Sequence, residues 1–490
     1  MRIAKPLSRR TFLFKSAAAS AGVATAFTIA GTKSSGQVIG SNDAIRIAVA
    51  GINGRGASHI DGFSGVKGTQ VTYLVDPDRR VFPGRLEQVG KKFNGFKPKT
   101  VQDLRKALED KEVDVVSIAS TNHWHALLAI WACQAGKDVY VEKPCSHNVF
   151  EGRKLVEAAR KYDRIVQHGT QNRSDNNWAK LANAARSEKY GKLLVAYGYA
   201  SKPRGSIGFK ESKPVPPEFD FDLWLGPAQQ QPYHENIVHY NWHWFWDFGN
   251  GEIGNQGVHQ IDIARWGMPA GATPKSVVSM GGRFGYEDQG QTPNTQLTII
   301  DFGGPKLIFE DRGLVGRKPV SGSGEPEPSR VSNEFLCEGG MLRDGKFFAN
   351  GSEKGEEIPA SDPAPHPGGP FGNFIDAVRS RKREQLNAEI LEGHLSSVLC
   401  HLGNISYRVG AGASLDTVPD SIAGHARSVQ AFEEMRSHLV KYVGLNPSQS
   451  KFQLGRSLLW NAEKESFGDP EADKLLTRAY RSPFVVPSKV

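Results

Sequence analysis

Residues 45–56, with the sequence IRIAVAGINGRG, constrain the fold more than any other part of the chain. Five of the first six residues are apolar, which is typical of a buried parallel strand. A turn at Gly51 and a helix beginning near Gly56 would bring the segment close to the dinucleotide fingerprint G-x-G-x-x-G, with Asn53 in place of the second glycine. Asn tolerates a left-handed backbone, so we expect the turn to form, with Gly54 keeping the loop small. The free N–H groups of the following helix would then bind phosphate.

A second apolar segment, residues 70–76, strengthens this interpretation because it ends on an acid, Asp76, 20 residues after Gly56. An acid at this position takes the hydroxyls of the adenosine ribose. Its carboxylate would repel a 2′-phosphate, so the sequence favours NAD over NADP. Arg79 and Arg80 follow directly and keep NADP open, and a strand–turn–helix without any ligand is the remaining alternative.

Strand and helix patterns alternate with short connections up to residue 168, which predicts an α/β fold with a doubly wound parallel sheet. The pattern changes after residue 169, where the strands predict an α+β domain with an open, mainly antiparallel sheet and helices on one face. Residues 316–370, rich in Gly, Pro, Ser and Glu, are expected to be surface loops. We therefore divide the chain into an export signal and linker (1–42), a dinucleotide-binding domain (43–168), a substrate domain (169–440) and a C-terminal extension that wraps around (441–490).

Composition excludes several classes of protein. The formal charge of the 490 residues is +9, but five cations lie in the first fifteen residues, and without them the charge of +4 gives little case for nucleic acid binding. The four cysteines lie far apart, with neither a disulfide framework nor a zinc motif. His234, His239 and His243 have no spacing that fits a zinc site, so we expect no metal.

The N-terminal sequence predicts an export signal. Residues 8–15, SRRTFLFK, match the twin-arginine export signal, and the apolar run at residues 16–30 is too short and too weakly hydrophobic to span a bilayer comfortably. We expect recognition by the twin-arginine translocase, delivery to the periplasm and no stable membrane span after processing. Free NAD is scarce outside the cytoplasm, so such a protein would load its cofactor first and hold it tightly.

Polar residues cluster where the predicted parallel strands end, which is where ligands bind in sheets of this kind. Lys143 could hold a substrate hydroxyl by a hydrogen bond and raise its acidity, and partial burial would lower its own pKa. A surface lysine at a strand end is the alternative. The residues predicted to bind the cofactor are Gly51, Asn53, Gly54, Arg55, Gly56, Asp76, Ser120, Asn122, His125, Glu142 and Lys143.

A second polar segment is residues 251–262, GEIGNQGVHQID. If it is helical, Asn255 and His259 share one face at i, i+4 spacing, and Asp262 lies three residues beyond. His259 has the natural pKa for accepting a proton from an alcohol, and a nearby carboxylate would fix its tautomer. A packed structural histidine is the alternative, but the three glycines of the segment permit close approach of a ligand.

The aromatic segment at residues 241–248, NWHWFWDF, lies just upstream. The flat faces of Trp242 and Trp246 suit stacking on the C–H faces of sugar rings, with His243 and Asp247 as polar contacts. A core-facing aromatic cluster is an equal alternative.

Taken together, Asp76, the sequence EKP at 142–144 and the sequence GVHQID at 257–262 resemble the Gfo/Idh/MocA family, named for glucose–fructose oxidoreductase, inositol dehydrogenase and a rhizopine catabolism protein. The resemblance covers about residues 43–440, and the long form with a twin-arginine signal is similar to the exported bacterial branch. It implies a Rossmann domain followed by an α/β domain whose open sheet lines the active site and often mediates oligomerisation, so we expect a homo-oligomer.

The resemblance also implies roles for particular residues. The lysine and histidine that match Lys143 and His259 are the family's catalytic pair, and an aspartate often lies four residues before the histidine. Here that position is Asn255, whose amide can orient a substrate hydroxyl but cannot exchange a proton at neutral pH, which shifts the base role towards His259. Polar residues after the strand that ends at His168 suggest substrate contacts. The predicted substrate residues are Gln171, Arg173, Trp242, His243, Trp246 and Asp262, with Lys202 and Arg204 as weaker choices.

The sequence thus predicts an NAD(P)-dependent oxidoreductase that passes hydride between a tightly bound nicotinamide and a secondary alcohol of a sugar, polyol or glycoside. Two alternatives stay open. One is an NAD-dependent glycosidase that uses transient oxidation and elimination, and the other is a non-catalytic sugar-binding protein, for which Asn255 is the only support.

Overall fold

Residues 45–168 form a six-stranded parallel sheet with the strand order β3-β2-β1-β4-β5-β6. The structure is a computed structural model that describes residues 44–361 and 364–490, so the predicted export signal lies outside the described residues. The elements are β1 (Ile45–Ala50), α1 (Arg55–Ser64), β2 (Thr69–Val75), α2 (Phe82–Lys92), β3 (Lys99–Val101), α3 (Leu104–Leu108), β4 (Val115–Ile118), α4 (Asn122–Gln134), β5 (Asp138–Val141), α5 (Val149–Lys161) and β6 (Val166–His168).

Both faces of this sheet are buried, as the apolar runs of its strands predict. Ala48 and Val116 face a core layer under α4 and α5, while Ile47 and Val49 face the opposite layer under α1. The strand order reverses between β1 and β4, which opens a crevice at the carboxyl ends of these strands. The predicted doubly wound domain is therefore confirmed, and its crevice lies beside the Gly-rich turn.

The second sheet has eleven strands in the order β14-β13-β12-β11-β7-β10-β9-β8-β16-β15, with β17 also paired to β8. Its pairs are antiparallel except for β7 and β10, which are parallel, so the predicted mainly antiparallel sheet is confirmed. Its elements are α6 (Asn176–Arg186), β7 (Leu193–Ser201), α7 (Phe221–Leu225), α8 (Val258–Trp266), β8 (Ser276–Gly282), β9 (Thr295–Asp301), β10 (Lys306–Arg312), β11 (Arg330–Cys337), β12 (Gly340–Arg343), β13 (Lys346–Ala349), β14 (Gly355–Glu357), α9 (Gly369–Ser380), α10 (Ile390–Arg408), β15 (Ala411–Ser414), α11 (Asp420–Ala423), α12 (Ala426–His438), β16 (Lys451–Leu454), β17 (Leu458–Leu459) and α13 (Pro470–Asp473).

The prediction that residues 316–370 are surface loops is wrong, because the segment contributes four strands, β11 to β14, to one edge of the second sheet. Asp344 and Gly345, both with positive φ, make the two-residue turn between β12 and β13. Asp-Gly between apolar residues is a strong hairpin signal, which the Gly- and Pro-rich composition of the segment concealed. The sequence pattern also predicts a helix over residues 101–110, but Val101 ends β3 and the side chain of Asp103 caps the shorter helix α3.

Helices cover both faces of the second sheet rather than the predicted single face. Ile261 of α8 and Leu402 of α10 pack on one face, while Phe432 and Met435 of α12 pack on the other. The physical reason is that the central strands carry apolar side chains on both faces. None of the helices in the described part of the chain has the length and apolarity to span a bilayer.

Candidate active site

The turn between β1 and α1 has the geometry of a phosphate-binding loop. Gly51 has φ of +79°, and a Cβ there would lie 2.5 Å from the backbone nitrogen of Ser120, while a Cβ at Gly56 would lie 2.1 Å from the carbonyl oxygen of Gly51. Both positions therefore require glycine. Asn53 is not among the described residues with positive φ, so its expected left-handed conformation is not adopted. No side chain caps α1 at Gly54, and its first N–H groups remain available to an anion.

Glu142 fixes this loop to the end of β5. Its Oε1 accepts hydrogen bonds from Arg55 Nε at 2.8 Å and from the ring of His59 at 3.0 Å. Burial opposes the ionisation of Glu142, but the hydrogen bond from His59 and the charge of Arg55 outweigh it and hold the pKa of Glu142 well below its usual range. This carboxylate therefore acts as a permanently charged anchor for the loop.

Asp76 ends the second strand as predicted, with its carboxylate in the crevice wall. Its two oxygens accept the backbone N–H groups of Ile52 at 2.9 Å and Asp78 at 3.0 Å. Burial raises the pKa of Asp76 to about 6, and the two backbone hydrogen bonds only partly oppose this rise. Arg79 donates to Gln102 at 2.6 Å and Arg80 pairs with Asp78, so both arginines that could favour NADP already have partners.

A cavity of about 350 Å³ joins the loop, Asp76 and Lys143 along the carboxyl ends of β1, β2, β4 and β5. The second domain supplies its other wall. The residues that line the cavity include Gly51, Asn53, Gly54, Arg55, Asp76, Ser120, Asn122, His125, Glu142 and Lys143 from the first domain, and Leu223, Trp224, His239, Tyr240, Trp242 and Asn255 from the second. Every predicted cofactor residue except Gly56 therefore contributes to one wall, and Gly56 lies behind it at the start of α1.

His125 lies on this wall, but its ring nitrogens are occupied. They lie 2.7 Å from the carbonyl oxygen of Pro144 and 2.9 Å from that of Ser120. Burial lowers the pKa of His125, and a neutral ring has one N–H, so it donates to only one of these two carbonyl groups. The ring lies between the end of β4 and the Lys143–Pro144 segment, and its contact with a cofactor stays a prediction.

Lys143 reaches across to the second domain, where its Nζ donates to the backbone carbonyl of Asn255 at 2.5 Å. No carboxylate of the described residues forms a salt bridge with it. Burial lowers the pKa of Lys143, while the charges of Glu142 and Glu252 act in the opposite direction. A lysine in this state is well suited to hold and release a proton.

We expected a regular helix to carry Asn255 and His259. Instead, Ile253–Gly257 forms a π-helical turn before α8. Such turns are frequent at functional sites. Burial lowers the pKa of His259 to about 3, and the nearby charge of Lys143 lowers it further. The two groups are therefore within electrostatic reach. At this pKa the imidazole is neutral and a weaker base than an ordinary histidine. Its Nδ1 has no hydrogen bond partner among the described residues.

Glu252 is a residue that the sequence reasoning missed. It is buried, forms an ion pair with Arg204, and accepts a hydrogen bond from Asn255 Nδ2 at 3.3 Å. Its charge also reaches Lys143. Its position three residues before Asn255 was the available signal, and it places a carboxylate beside the amide that replaces the expected aspartate.

Two predicted substrate contacts, Arg173 and Asp262, pair with each other instead. Arg173 Nε lies 2.9 Å from Asp262 Oδ2, and Ser396 Oγ donates to Asp262 Oδ1 at 2.6 Å. Burial opposes ionisation of Asp262, but Arg173 outweighs it and lowers the pKa of Asp262 to about 2. Both side chains are buried away from the cavity, so the structure corrects their expected role to that of an internal ion pair.

The remaining predicted substrate residues are dispersed. Trp242 lines the cofactor cavity, His243 is buried with Nδ1 2.8 Å from the carbonyl oxygen of Tyr240, and Trp246 lines a separate cavity. The Oε1 atom of Gln171 is buried without a hydrogen bond partner among the described residues. The aromatic segment is therefore not the single stacking surface that we expected.

The segment before these aromatics also closes the cavity at the Asp76 end, which the sequence did not indicate. Asp220 N donates to the carbonyl oxygen of Pro77 at 2.9 Å, and the His239 ring lies 2.9 Å from Asp78 Oδ2. Across the described residues, no group of three or more His, Cys, Asp or Glu side chains is placed to hold a metal ion.

Two family models match the chain. The model GFO_IDH_MocA, described as oxidoreductase family, NAD-binding Rossmann fold, matches residues 45–170. The model GFO_IDH_MocA_C2, described as oxidoreductase family, C-terminal alpha/beta domain, matches residues 201–279. These matches support the resemblance found in the sequence and identify the first domain as one that binds NAD.

Similar curated proteins include an inositol 2-dehydrogenase of Salmonella typhimurium, 29% identical over 156 residues, which are 31% of this chain and 45% of that protein. Another is a glycosyl hydrolase family 109 protein of Shewanella baltica, 27% identical over 205 residues, which are 38% of this chain and 44% of that protein. The match thus spans less than half the length of these relatives.

Similar solved structures include the WlbA dehydrogenase from Bordetella pertussis in complex with NADH and UDP-GlcNAcA, with 16% identity, a TM-score of 0.54, and coverage of 74% of this chain and 97% of that one. Levoglucosan dehydrogenase in complex with NADH and L-sorbose has 14% identity, a TM-score of 0.52, and coverage of 74% and 96%. At these identities the likeness shows a shared fold.

Proposed function

We propose that this chain, whose two domain matches support membership of the Gfo/Idh/MocA family, is an NAD-dependent oxidoreductase acting on a secondary alcohol of a sugar or polyol. The observation that carries the proposal is the single cavity that joins a phosphate-binding loop, the ribose-binding acid Asp76 and the amine of Lys143. The NADH-bound structures of the same fold and the inositol 2-dehydrogenase relative support the same reaction class.

The residues of the cavity fit NAD. Gly51 packs against the backbone of Ser120 and Gly56 against that of Gly51, which fixes the loop. Space is open beside Gly54, where a Cβ would meet no atom within 4 Å, so a pyrophosphate can approach the backbone there. The free N–H groups of α1 favour its negative charge. Asp76 lies where the adenosine ribose hydroxyls would be held, and its carboxylate would repel a 2′-phosphate there. Of the two nearby arginines, Arg80 is paired with Asp78, and Arg79 donates through Nε to Gln102.

Bound NAD supplies the hydride acceptor, and the chain's own residues handle the proton of the hydroxyl. Burial lowers the pKa of Lys143, so its amine gives up its own proton more readily and can then accept that of the hydroxyl. His259 is not among the residues that line the cavity, but its neutral imidazole lies within electrostatic reach of Lys143, and we assign it the orientation of the same hydroxyl by a hydrogen bond. Asn255 fixes Lys143 through its carbonyl group and contacts Glu252 through its amide. Glu252 thus supplies a carboxylate where Asn255 cannot exchange a proton.

The test is a titration of the purified protein with NAD and NADP, followed by a panel of sugars and polyols monitored by reduced-nicotinamide absorbance. We expect NAD to bind more tightly than NADP and at least one polyhydroxy compound to reduce it. Failure to bind either dinucleotide would contradict the proposal at its foundation, whereas binding without reduction by any compound would favour a non-catalytic protein.

A second function is supported by the relative from Shewanella baltica, which matches a longer stretch of this chain than the dehydrogenase does. In an NAD-dependent glycosidase, transient oxidation acidifies a neighbouring C–H bond, the glycosidic bond is eliminated, and the hydride returns. Release of phenol from aryl glycosides without added NAD would favour this activity, while net accumulation of reduced nicotinamide would favour the dehydrogenase.

We further propose export to the periplasm by the twin-arginine translocase, on the basis of Arg9 and Arg10 in residues 8–15. Replacing both with lysine should retain the protein in the cytoplasm in a fractionation experiment, and unchanged export would refute the route. The open sheet of the second domain supports a homo-oligomer by analogy with the family, and light scattering coupled to gel filtration tests this directly.

A further inference from the structure

A second cavity, of about 290 Å³, lies between the end of α10 and the C-terminal extension. It shares no lining residue with the cofactor cavity. Its walls come from five parts of the chain. They are His147 and Asn148 after β5, Gln229, four residues of the segment 246–250 before the π-helical turn, His401, Asn404, Ile405 and Arg408 of α10, and five residues of the segment 474–479 in the extension. We call it the Arg408 cavity.

Side chains on this wall carry buried polar atoms that the protein does not satisfy. Asn250 Nδ2, Asn404 Oδ1 and Arg478 Nε have no hydrogen bond partner within the described residues. Asn250 and Asn404 are 5% and 4% exposed, respectively. Buried donors and acceptors are normally paired, so their grouping around one cavity indicates a polar occupant.

The guanidinium of Arg408 is the most available charge in this cavity. It stacks on the ring of Trp246 at 4.9 Å from the centroid, and no acceptor among the described residues bonds to it. The acid on the wall, Asp247, is paired with Arg478. Nη1 of Arg478 donates to the backbone carbonyl oxygen of Asp247 at 2.7 Å, and Nη2 lies 3.3 Å from its carboxylate. Lys474 adds another cation at the rim. Arg408 is exposed, so a negative group that enters the cavity can reach its guanidinium.

We propose that the Arg408 cavity binds the oxyanion of a small acidic carbohydrate, such as a sugar acid or a sugar phosphate. Arg408 has a planar fork of donors that matches a carboxylate or phosphate. The amides of Asn250 and Asn404 provide a donor and an acceptor for sugar hydroxyls. The site lies outside the catalytic cavity and extends beyond the proposed oxidoreductase function, and its occupant would bridge α10 and the C-terminal extension.

The experiment is calorimetric titration of the full protein with glucuronate, glucose 6-phosphate, inorganic phosphate and neutral glucose. We expect an acidic sugar to bind and glucose not to bind. Inorganic phosphate separates recognition of the oxyanion alone from recognition of the sugar. Arg408→Gln should weaken binding about tenfold or more, as expected for the loss of a charge-assisted contact. The matched control is Arg317→Gln, since Arg317 also lies over an aromatic ring, that of Tyr286, outside this cavity.

Lys474→Glu provides a second variant at an exposed position, so a folding defect in Arg408→Gln cannot decide the outcome. It should weaken the acidic ligands and leave NAD binding unchanged, which separates this site from the proposed active site. The proposal is overturned if the wild-type protein binds none of the acidic probes, or if the Arg408 and Lys474 variants bind them as well as Arg317→Gln does.

Discussion

The two sides of the proposed catalytic cleft arrange their ionisable groups in the same way. On the first domain, Glu142 is bonded to Arg55 and His59, while the Nζ of its neighbour Lys143 has one hydrogen bond within the described residues, to the carbonyl oxygen of Asn255. On the second domain, Asp262 is bonded to Arg173 and Ser396, while the Nδ1 atom of His259 has no hydrogen bond partner in the described ranges.

The comparison separates two uses of charge. A carboxylate fixed by an arginine stays ionised and holds two segments together, whereas a base without a charged partner can change its protonation state during a reaction. Glu142 and Asp262 therefore organise the cleft, and Lys143 and His259 are left for chemistry. Four substitutions test this division, in order of decreasing expected effect.

Lys143→Ala removes the uncommitted amine. Turnover should fall about 10³-fold, in the range expected for loss of a general base, with little change in NAD affinity, because the loop and Asp76 remain. Steady-state kinetics and NAD fluorescence titration measure the two effects. Lys180→Ala, on the surface helix α6, is the control. Unchanged turnover in Lys143→Ala would remove the amine from the mechanism.

Asp262→Asn breaks the fixed pair on the second domain. Because it leaves the buried Arg173 with only Glu392 as an ionised partner among the described residues, the free energy of unfolding should fall by about 3 kcal/mol. In the wild-type protein the pKa of Asp262 is about 2 when folded and about 3.9 when unfolded. The stability from this pair is complete above pH 4 and is lost as the pH falls towards about 2.

Chemical denaturation at several pH values measures this effect, and the variant should show a flatter acid dependence. Glu87→Gln, in the exposed pair with Lys91, should change stability by less than about 1 kcal/mol. A variant Asp262→Asn of full stability but impaired turnover would mean that Asp262 belongs to the chemistry after all.

The division could be predicted only in part from the sequence. Gly51, Asp76 and Lys143 were identifiable because each lies at the end of a buried parallel strand, and local pattern alone fixes that position. The ion pair of Asp262 could not be predicted in this way, because its partner Arg173 is 89 residues away along the chain. Asp262 lies three residues after His259, which suggested a contact near that histidine, but the long-range ion pair with Arg173 takes its place.

The second domain was harder to predict for a similar reason. The π-helical turn at Ile253–Gly257 inserts an extra residue that no regular periodicity indicates, and it brings Glu252 into contact with Asn255. Strands β11 to β14 are stabilised by edge pairing and by a turn at Asp344 and Gly345. Their composition resembles that of loops because polar residues occupy the exposed face of each strand.

His259→Gln tests the uncommitted base of the second domain. Its pKa of about 3 means that His259 stays neutral at any practical assay pH. The rise of kcat/KM with pH should therefore follow the ionisation of Lys143, whose pKa lies below its ordinary value because of burial. The substitution should reduce kcat about 10²-fold and leave the position of that rise unchanged. A pH profile that loses the rise would assign the base role to His259.

Asp76→Asn sharpens the comparison with a third carboxylate, which is fixed by backbone N–H groups and not by an arginine. Its pKa of about 6 predicts that NAD affinity in the wild-type protein rises with pH through this value, because the ionised form accepts both ribose hydroxyls. The variant should lose this dependence, and its preference for NAD over NADP should fall about tenfold, since the charge that repels a 2′-phosphate is gone. Binding titrations of both dinucleotides between pH 5 and pH 8 measure the effect, with Glu87→Gln as the control. An unchanged preference would mean that the backbone and the partners of Arg79 and Arg80, rather than the charge of Asp76, select the cofactor.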